Sequence, residues 1–585
     1  MEALPHLLSK LTMSEETNSN FVFIGKYHRN APRFEVYEPN IALHQKTVLK
    51  ALSRYMYQEE VHRIVHEHRR SDASPEAIEA DFFNGDIPDH PVPKDEHYQY
   101  GLTTMLDLFR PPVQCRPVHI LDLYDRYPFK WQVNAEAPFS TDKFFLRQVP
   151  PGSSGKFGDI KYTVFQWSRR WHHIIKNGLI PDDAHLHKDD PYAANDYIFP
   201  MLLHTKTAIV KRDDPDKMRT IWGCSKPWVL AEAMFYWEYI AWVKRNRGAT
   251  PMLWGYETLT GGWLRLNAEL YCSTIRQSFI MIDWKRFDKY ALFSVIRDIM
   301  QGVRTFLTFE EGYVPTVNYP ETDSTWDSFK SLRLQRLWEW TIRNLFEAPI
   351  VLPDGRMYRR LFAGIPSGLY ITQLLDSWYN TTILLTILSS MGFRRNEIFI
   401  IKVQGDDSII RLGFLISKPG HARFLELMQE KATYYFGSII SVEKSKMANR
   451  PNECEVLSYS NFNGVPHRDV VQMLAQFYHT KAKFPTPGRT MAQAVGFAYA
   501  SMGHNPRVMC VCRDIYEYYQ RQGVTPDSLG LEDVFGDSPD IEKPFIDLDE
   551  FPSVETIQKF YLTFDYRNDK RLHRTWPEDY FLRTI

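Results

Sequence analysis

A chain of 585 residues, 44% hydrophobic, 14% aromatic and 24% charged, carries enough apolar side chains for large buried cores, which excludes wholesale disorder. Lys and Arg total 70 against 71 Asp and Glu, so no global basic character marks a polyanion partner, and any nucleic-acid surface must be a local channel. The six cysteines lie scattered, the N-terminus lacks a signal-peptide pattern, and no apolar run approaches the roughly 20 residues of a spanning helix, so a reducing compartment and no membrane are expected.

In chain order, His44 to Arg69 reads as a mildly amphipathic, charged helical stretch, and Ile87 to Glu96 as a Pro- and Asp-rich linker or surface strap. Pro111 to Pro200 alternates short apolar segments with Pro, Gly and Asp, which predicts loop-rich structure around short elements. Within it, Ser153-Ser154-Gly155-Lys156 glances toward a phosphate-binding loop. Pro150 stands where the first Gly should be and Phe157 where Ser or Thr should follow, so an NTPase or helicase reading fails. Beyond residue 200 the texture tightens into short strands and longer helices, the apolar run Ile383 to Leu388 reading as a buried helix.

A basic cluster follows: Lys206, Lys211, Arg212, Lys217 and Arg219. Cations on an extended hairpin suit a triphosphate grip, although Asp213, Asp214 and Asp216 also fit a solvated charged loop. The run Ser278 to Ile282 is strand-like and ends in Asp283, with Asp288 five residues on. Ala363 to Asn380 couples a Gly/Pro/Ser loop containing Ser367 and Gly368 to a helix on which Thr372, Asp376 and Asn380 share one face. That stripe suits contact with a nucleotide sugar and template, or simply an N-capped amphipathic helix. Ile400 to Arg411 reads as strand, tight turn, strand, with Gly405-Asp406-Asp407 at the tip. Carboxylates from two adjacent strand ends form an oxygen-only cluster, the ligand set magnesium favours. Two such ions can activate a 3′-hydroxyl and stabilise departing pyrophosphate. His504, Cys510 and Cys512 lack a fourth partner and the spacing of structural zinc. Asp469 to Gln522 leans helical, and the chain ends in a basic, aromatic tail (Arg567 to Trp576) with no repeat or long low-complexity tract before it.

The order basic segment, D-x4-D, S-G-x3-T with a downstream Asn, G-D-D, then Lys resembles the successive motifs of viral RNA-dependent RNA polymerases. In its wording it is similar to the partitivirus family of double-stranded RNA viruses and to their alphapartitivirus branch. The match spans roughly Thr205 to Arg468. It implies an α+β right hand closed into a ring around an antiparallel palm sheet. Residues 1–100 would be an N-terminal strap or extension, 101–270 with 301–360 the fingers, 271–300 with 361–468 the palm, and 469–585 the thumb and C-terminal segment. It further implies Asp283 and Asp406 as ligands of two magnesium ions, with manganese as a substitute and Asp407 as an auxiliary carboxylate.

Asp288 would read the ribose 2′-hydroxyl and Ser367-Gly368 would steer template and nucleotide. Many single-stranded RNA virus polymerases place Asn where this chain has Asp376, so Asp376 and Asn380 both stand as ribose contacts. Lys444 and Lys446 flank Ser445, and either could be the general acid for pyrophosphate, with Lys444 preferred. Lys217-Met218-Arg219-Thr220-Ile221 matches a K-x-R-x-I pattern, which makes Arg219 the first phosphate contact and Lys211 and Arg212 the next. Val456 to Ser460 with Gly464 to Arg468 matches the hairpin that supports the primer end. RNA, nucleoside triphosphates and a viral capsid protein would be the partners, inside a virus particle in the host cytoplasm. A reverse transcriptase, which usually carries an aromatic residue where Gln404 stands, and a non-catalytic capsid-associated RNA-binding protein are the rival readings.

Overall fold

The computed structural model describes residues 19–27, 40–127, 129–153, 155–178, 197–271, 276–320, 325–536 and 546–563. The first 18 residues, Ser154, Cys272 and the Arg567 to Trp576 tail fall outside this set.

At the centre lies a four-stranded antiparallel sheet in the order Ile398–Gln404, Asp407–Leu412, Ser278–Met281, Lys446–Ala448. Ile280 and Ile410 face each other across the two middle strands. Their apolar side chains fall on both faces, because both faces are covered. Phe279, Met281 and Ile409 pack with Tyr256 and Trp263, while Ile280 and Ile410 enter the large core shared with the helices.

The helix Thr372–Ser390 backs this sheet and is buried almost all round from Leu374 to Ser389, so the Ile383 to Leu388 run is a core helix as expected. Its polar stripe therefore meets protein and the carboxylates, not bulk water. Helix Glu96–Phe109 crosses it at Gly101, where a Cβ would stand 2.3 Å from Thr386 Oγ1 and 2.7 Å from the Thr382 carbonyl. A boundary at residue 100 consequently cuts a helix. The edge at residue 300 does the same to helix Phe293–Val303.

A second, five-stranded sheet runs Phe21–Lys26, Arg356–Arg360, Ile350–Val351, Met201–Thr207, Met218–Gly223. It carries Arg219 on its last strand, opposite Lys206. The expectation of short elements before Pro200 misses Lys161–Asn177, a 17-residue helix whose Val164, Phe165, Ser168, Trp171 and His172 are buried. Its aromatic and His-rich composition hides the 3.6-residue period.

The N-terminal segment is more than a surface strap. Helices Ala42–Tyr55 and Gln58–His66 bury Val48, Ala51, Leu52, Ile64 and Val65 in one core with helices Val470–Tyr478, Pro487–Ala500 and Pro506–Gln520. His44 is sealed there, its ring nitrogens 2.8 Å from Thr490 Oγ1 and 2.7 Å from the Phe477 carbonyl. The chain then pairs His68–Arg70 with Ile209–Lys211, and Arg70 donates to the carbonyls of His479 (2.7 Å) and Thr480 (3.1 Å). One segment thus holds the basic hairpin to the C-terminal helices.

The close crossing at Gly101 sets a test of the packing. Gly101→Val should lower unfolding stability by about 1–3 kcal/mol, the usual cost of overpacking a filled interface, read from urea denaturation; unchanged stability would contradict the crossing.

Candidate active site

Asp406 occupies the tip of the hairpin whose last pair is Gln404 with Asp407. Gly405 before it takes φ +64°, a left-handed conformation easy for glycine. The tip is held from the helix behind. The Gly405 N–H donates to Ser377 Oγ (2.9 Å), whose own proton goes to the Gln373 carbonyl (2.6 Å). Asn380 Nδ2 donates to the Gly405 carbonyl (3.0 Å), and Asn380 Oδ1 accepts from Trp284 Nε1 (3.0 Å). Because a carbonyl only accepts and an indole N–H only donates, this amide has one possible orientation.

Asp283 follows the strand Ser278–Met281. Its N–H donates to Ser445 Oγ (2.9 Å) and its carbonyl accepts from the Ser441 N–H (2.8 Å), so the backbone is clamped while the carboxylate stays exposed. Asp406 opens to solvent at its end, yet the crowding of protein around it, and Asp283, raise its carboxyl above the ordinary range; Arg219 opposes this. Asp407 is pushed up to about 6, first by burial and then by Asp406 and Asp283. Its Oδ2 accepts a 2.7 Å hydrogen bond from the Leu457 N–H in the turn joining Glu455–Val456 to Tyr459–Phe462.

These acids fit a divalent cation of a particular kind. Among the described residues no three His, Cys, Asp or Glu side chains converge into a ready cage, and one oxygen of Asp407 is already engaged. What remains is two open carboxylates repelling each other. Magnesium, which is bound through one or two carboxylates and completes its shell from water and substrate phosphates, suits that set.

Asp288 is half-buried and pushed up to about 6 by burial and by Asp406, with Arg219 pulling the other way. It hydrogen-bonds Asp376, a buried carboxyl raised well above its ordinary range by burial, Asp288 and Asp406. The pair therefore keeps a proton on Asp376, which donates to Asp288. Asn380, by contrast, has no accessible surface and both ends of its amide engaged, so the expected ribose contact there is corrected to a bracket for the hairpin. Of the two open candidates, only Asp376 meets Asp288.

The loop before this helix lies against the strand that bears Arg219. The Trp222 N–H donates to Ser367 Oγ (3.1 Å), and a Cβ on Gly368 would meet the Trp222 carbonyl at 2.3 Å. Thr372 closes the loop by donating to the Pro366 (3.0 Å) and Leu369 (3.1 Å) carbonyls. Beneath it, buried Glu232 accepts from the N–H groups of Tyr370 (2.9 Å) and Ile371 (3.4 Å), and burial pushes its carboxyl up to about 8.

The basic residues divide. Arg219 bears on Asp288 and Asp406, and Lys217 on Asp283, so both join the site. Lys211 pairs with His68, and Arg212 Nε donates to the His66 carbonyl (2.6 Å), so Arg212 belongs to the N-terminal clasp and not to the carboxylates. Asp216 is engaged by Arg69 and by the Asp72 N–H (3.1 Å), which removes one acid that would compete for these cations. Lys446 forms an ion pair with Glu455, whereas Lys444 repels Lys217 and so lies on the carboxylate side.

Asp81 is a residue that sequence reasoning missed. It accepts from the Thr220 N–H (2.7 Å) and pairs with Lys289 Nζ (2.8 Å), tying the neighbours of Arg219 and Asp288 together. Ser377, Ser445 and Glu232 were missed likewise, because each acts through a partner distant in sequence.

The sequence profile of the family described as "Viral RNA-dependent RNA polymerase" matches residues 197–521. The chain belongs to this family. It is 51% identical, over 619 aligned residues, to an "RNA-directed RNA polymerase" of White clover cryptic virus 1 (isolate Boccardo/2004), covering 100% of this chain and 99% of that relative. A second "RNA-directed RNA polymerase", of Atkinsonella hypoxylon virus (isolate 2H), is 27% identical over 61% of this chain and 57% of its own length. The polymerase is thus an RNA-copying enzyme of a double-stranded RNA virus, acting on RNA and nucleotides, as the partitivirus resemblance implied. The reverse-transcriptase and non-catalytic readings are set aside.

The raised acids give the polymerase a pH signature in EDTA. Asp407 holds its proton more tightly folded than unfolded, so its ionisation costs stability above about 6, and that cost fades as pH falls toward the unfolded value of about 4. Asp407→Asn should therefore melt higher than wild type at pH 7, with the gap closing by pH 4–5. A gap that is constant or widens toward acid would contradict this environment.

Proposed function

We propose that the polymerase copies RNA by in-line attack of a 3′-hydroxyl on the α-phosphate of an incoming nucleoside triphosphate, at a site where Asp283 and Asp406 hold two magnesium ions and Asp407 is auxiliary. The observation that carries this reading is the pair of open carboxylates, Asp283 and Asp406, brought from separate strands into mutual repulsion. Magnesium, or manganese in its place, would supply activation of the hydroxyl and stabilisation of the leaving pyrophosphate.

The chain's own residues do the rest. Lys217 and Arg219 bind the triphosphate and offset charge developing on it, with Lys211 on the neighbouring strand as a further cation. Asp288, its lone pairs aimed by the proton on Asp376, accepts from the ribose 2′-hydroxyl. Ser367 and Gly368, on the loop that Thr372 closes, set the approach of nucleotide and template. Lys444 protonates the departing pyrophosphate. The site sits in a right hand closed into a ring, with the N-terminal clasp as the link between the strand bearing Arg219 and the C-terminal helices; this is supported by the shared core of residues 48–65 with 471–516. The capsid protein is the partner and the virion interior in the host cytoplasm the place of work. Among the described residues no helix is long and apolar enough to cross a membrane.

Asp406→Ala should cut templated ribonucleotide incorporation by about 10³-fold or more, the loss expected when several kcal/mol of charge stabilisation disappears. The wild type should fall equally silent in EDTA and recover with magnesium. Activity retained by the variant would sink the assignment.

The two lysines separate in a second assay. Lys444→Ala should slow single-nucleotide addition by about 10²-fold, the usual contribution of a general acid, while Lys446→Ala stays near the wild-type rate. The reverse order would move the proton donor to Lys446.

A further inference from the structure

Away from the carboxylates, helices Lys161–Asn177 and Ser328–Glu347 pack together and gather cations between them. Lys176 is 6% exposed, and its Nζ donates to the Tyr313 hydroxyl at 2.8 Å. Arg333 Nη2 lies 3.2 Å from His173 Nδ1. Among the described residues the Nε groups of Arg169 and Arg333 are buried with no acceptor, as is His172 Nδ1. The charged groups that bear on Lys176 are Arg169 and Arg333, both of its own sign, and burial with those neighbours pushes its ammonium down to about 7. Burial first, and then Lys176 and Arg169, push His119 down to about 3 and His173 to about 4, with Arg333 adding to the effect on His173.

Among the described residues no carboxylate pairs with Arg169, Lys176 or Arg333. Asp122, on the short helix that His119 caps, is spent on Thr316 (2.9 and 3.0 Å) and Asn318 (3.2 Å).

Packing alone does not account for this arrangement. Lys176 is a buried cation and needs a partner, Arg169 and Arg333 are half-buried, and each buried donor without an acceptor costs about 1–3 kcal/mol. The last turn of the Lys161–Asn177 helix favours positive charge, which covers Lys176 and the bond from Arg336 Nη1 to the Lys176 carbonyl (3.3 Å). It does not reach Arg169, two turns earlier, or Arg333 on the other helix. Two guanidinium forks and an ammonium with no anion among the described residues form a ready receptor for phosphate oxygens. Tyr319, half-buried and stacked on His119 at 4.9 Å, adds an aromatic face beside them.

We propose that Arg169, Lys176 and Arg333 form a second phosphate-binding site, between these two helices and separate from the catalytic carboxylates, that takes one phosphate group from an RNA backbone or from free pyrophosphate. None of the three is among the groups that bear most on Asp288 or Asp406.

The test uses the full chain in EDTA, with Arg169→Gln/Arg333→Gln and, separately, Lys176→Met. Sodium pyrophosphate should raise the melting temperature of the wild type more than that of either variant. In phosphate-free buffer Lys176→Met should melt at or above the wild type, because an unpaired buried charge has gone. This second variant keeps the question answerable should the double variant fail to fold. Binding of a labelled single-stranded RNA is followed in parallel across salt. Loss of one backbone contact should reduce the slope of log affinity against log salt by about 0.7. A change in the RNA slope assigns the site to the backbone, and a change confined to the pyrophosphate shift assigns it to a free phosphate. Equal pyrophosphate shifts together with equal RNA slopes in wild type and variants would overturn the proposal.

Discussion

Two hydrogen bonds from one buried helix to Gly405, from Asn380 to its carbonyl and from its N–H to Ser377, hold the hairpin tip in place. Everything at the site is arranged against a repulsion that these bonds must withstand. Burial and the neighbouring acids, Asp283 among them, raise the carboxyls of Asp288, Asp376, Asp406 and Asp407, and left to itself such a group would spread apart or protonate. The helix is fully packed on its other sides, so it cannot yield, and Asn380 reaches through to Trp284 as well, linking the hairpin to the segment that follows Asp283. The positive groups that compensate, Lys217 and Arg219, arrive from a different sheet.

That second sheet is placed by the N-terminal segment. Asp81 joins Thr220 to Lys289, Arg69 takes up Asp216, and the helices before Arg70 share a core with the C-terminal helices. The basic strand, the carboxylates and the C-terminal helices are thus fixed relative to one another by a part of the chain that touches no substrate in the proposed chemistry. A polymerase that must hold RNA and nucleotide in line has reason for such bracing, since misplacement by about an ångström can cost about a hundredfold in rate.

The placing of the acids was legible in the sequence where it is local. Gly405-Asp406-Asp407 between two apolar runs is a hairpin in any context, and Asp283 at the end of a strand needs only a neighbour to become a cluster. The boundaries and the division of labour were not legible, because they depend on distant partners. Asp376 and Asn380 sit one turn apart on the same face and look equivalent; what separates them is that Trp284 and Gly405 consume the amide, while Asp288 meets the acid. Arg212 reads in sequence as the next phosphate contact after Arg219, until the His66 carbonyl claims it. The helix at Lys161 lies in a stretch that reads as loop-rich because its aromatic residues obscure the buried face, and the helical stretch from His44 does not announce in sequence the distant core it shares with the C-terminal helices.

The measurement that tests this account most directly is templated nucleotide addition by Ser377→Ala/Asn380→Leu, a variant that leaves every proposed catalytic group in place and removes the two bonds holding Gly405 together with the Trp284 bond to Asn380. If the hairpin's position makes these acids a site, the variant should keep a cooperative melt and bind RNA, but add nucleotides at a rate lower by about two orders of magnitude, in keeping with misplaced catalytic groups. Wild-type rates in a folded variant would contradict the claim that these two bonds set the geometry.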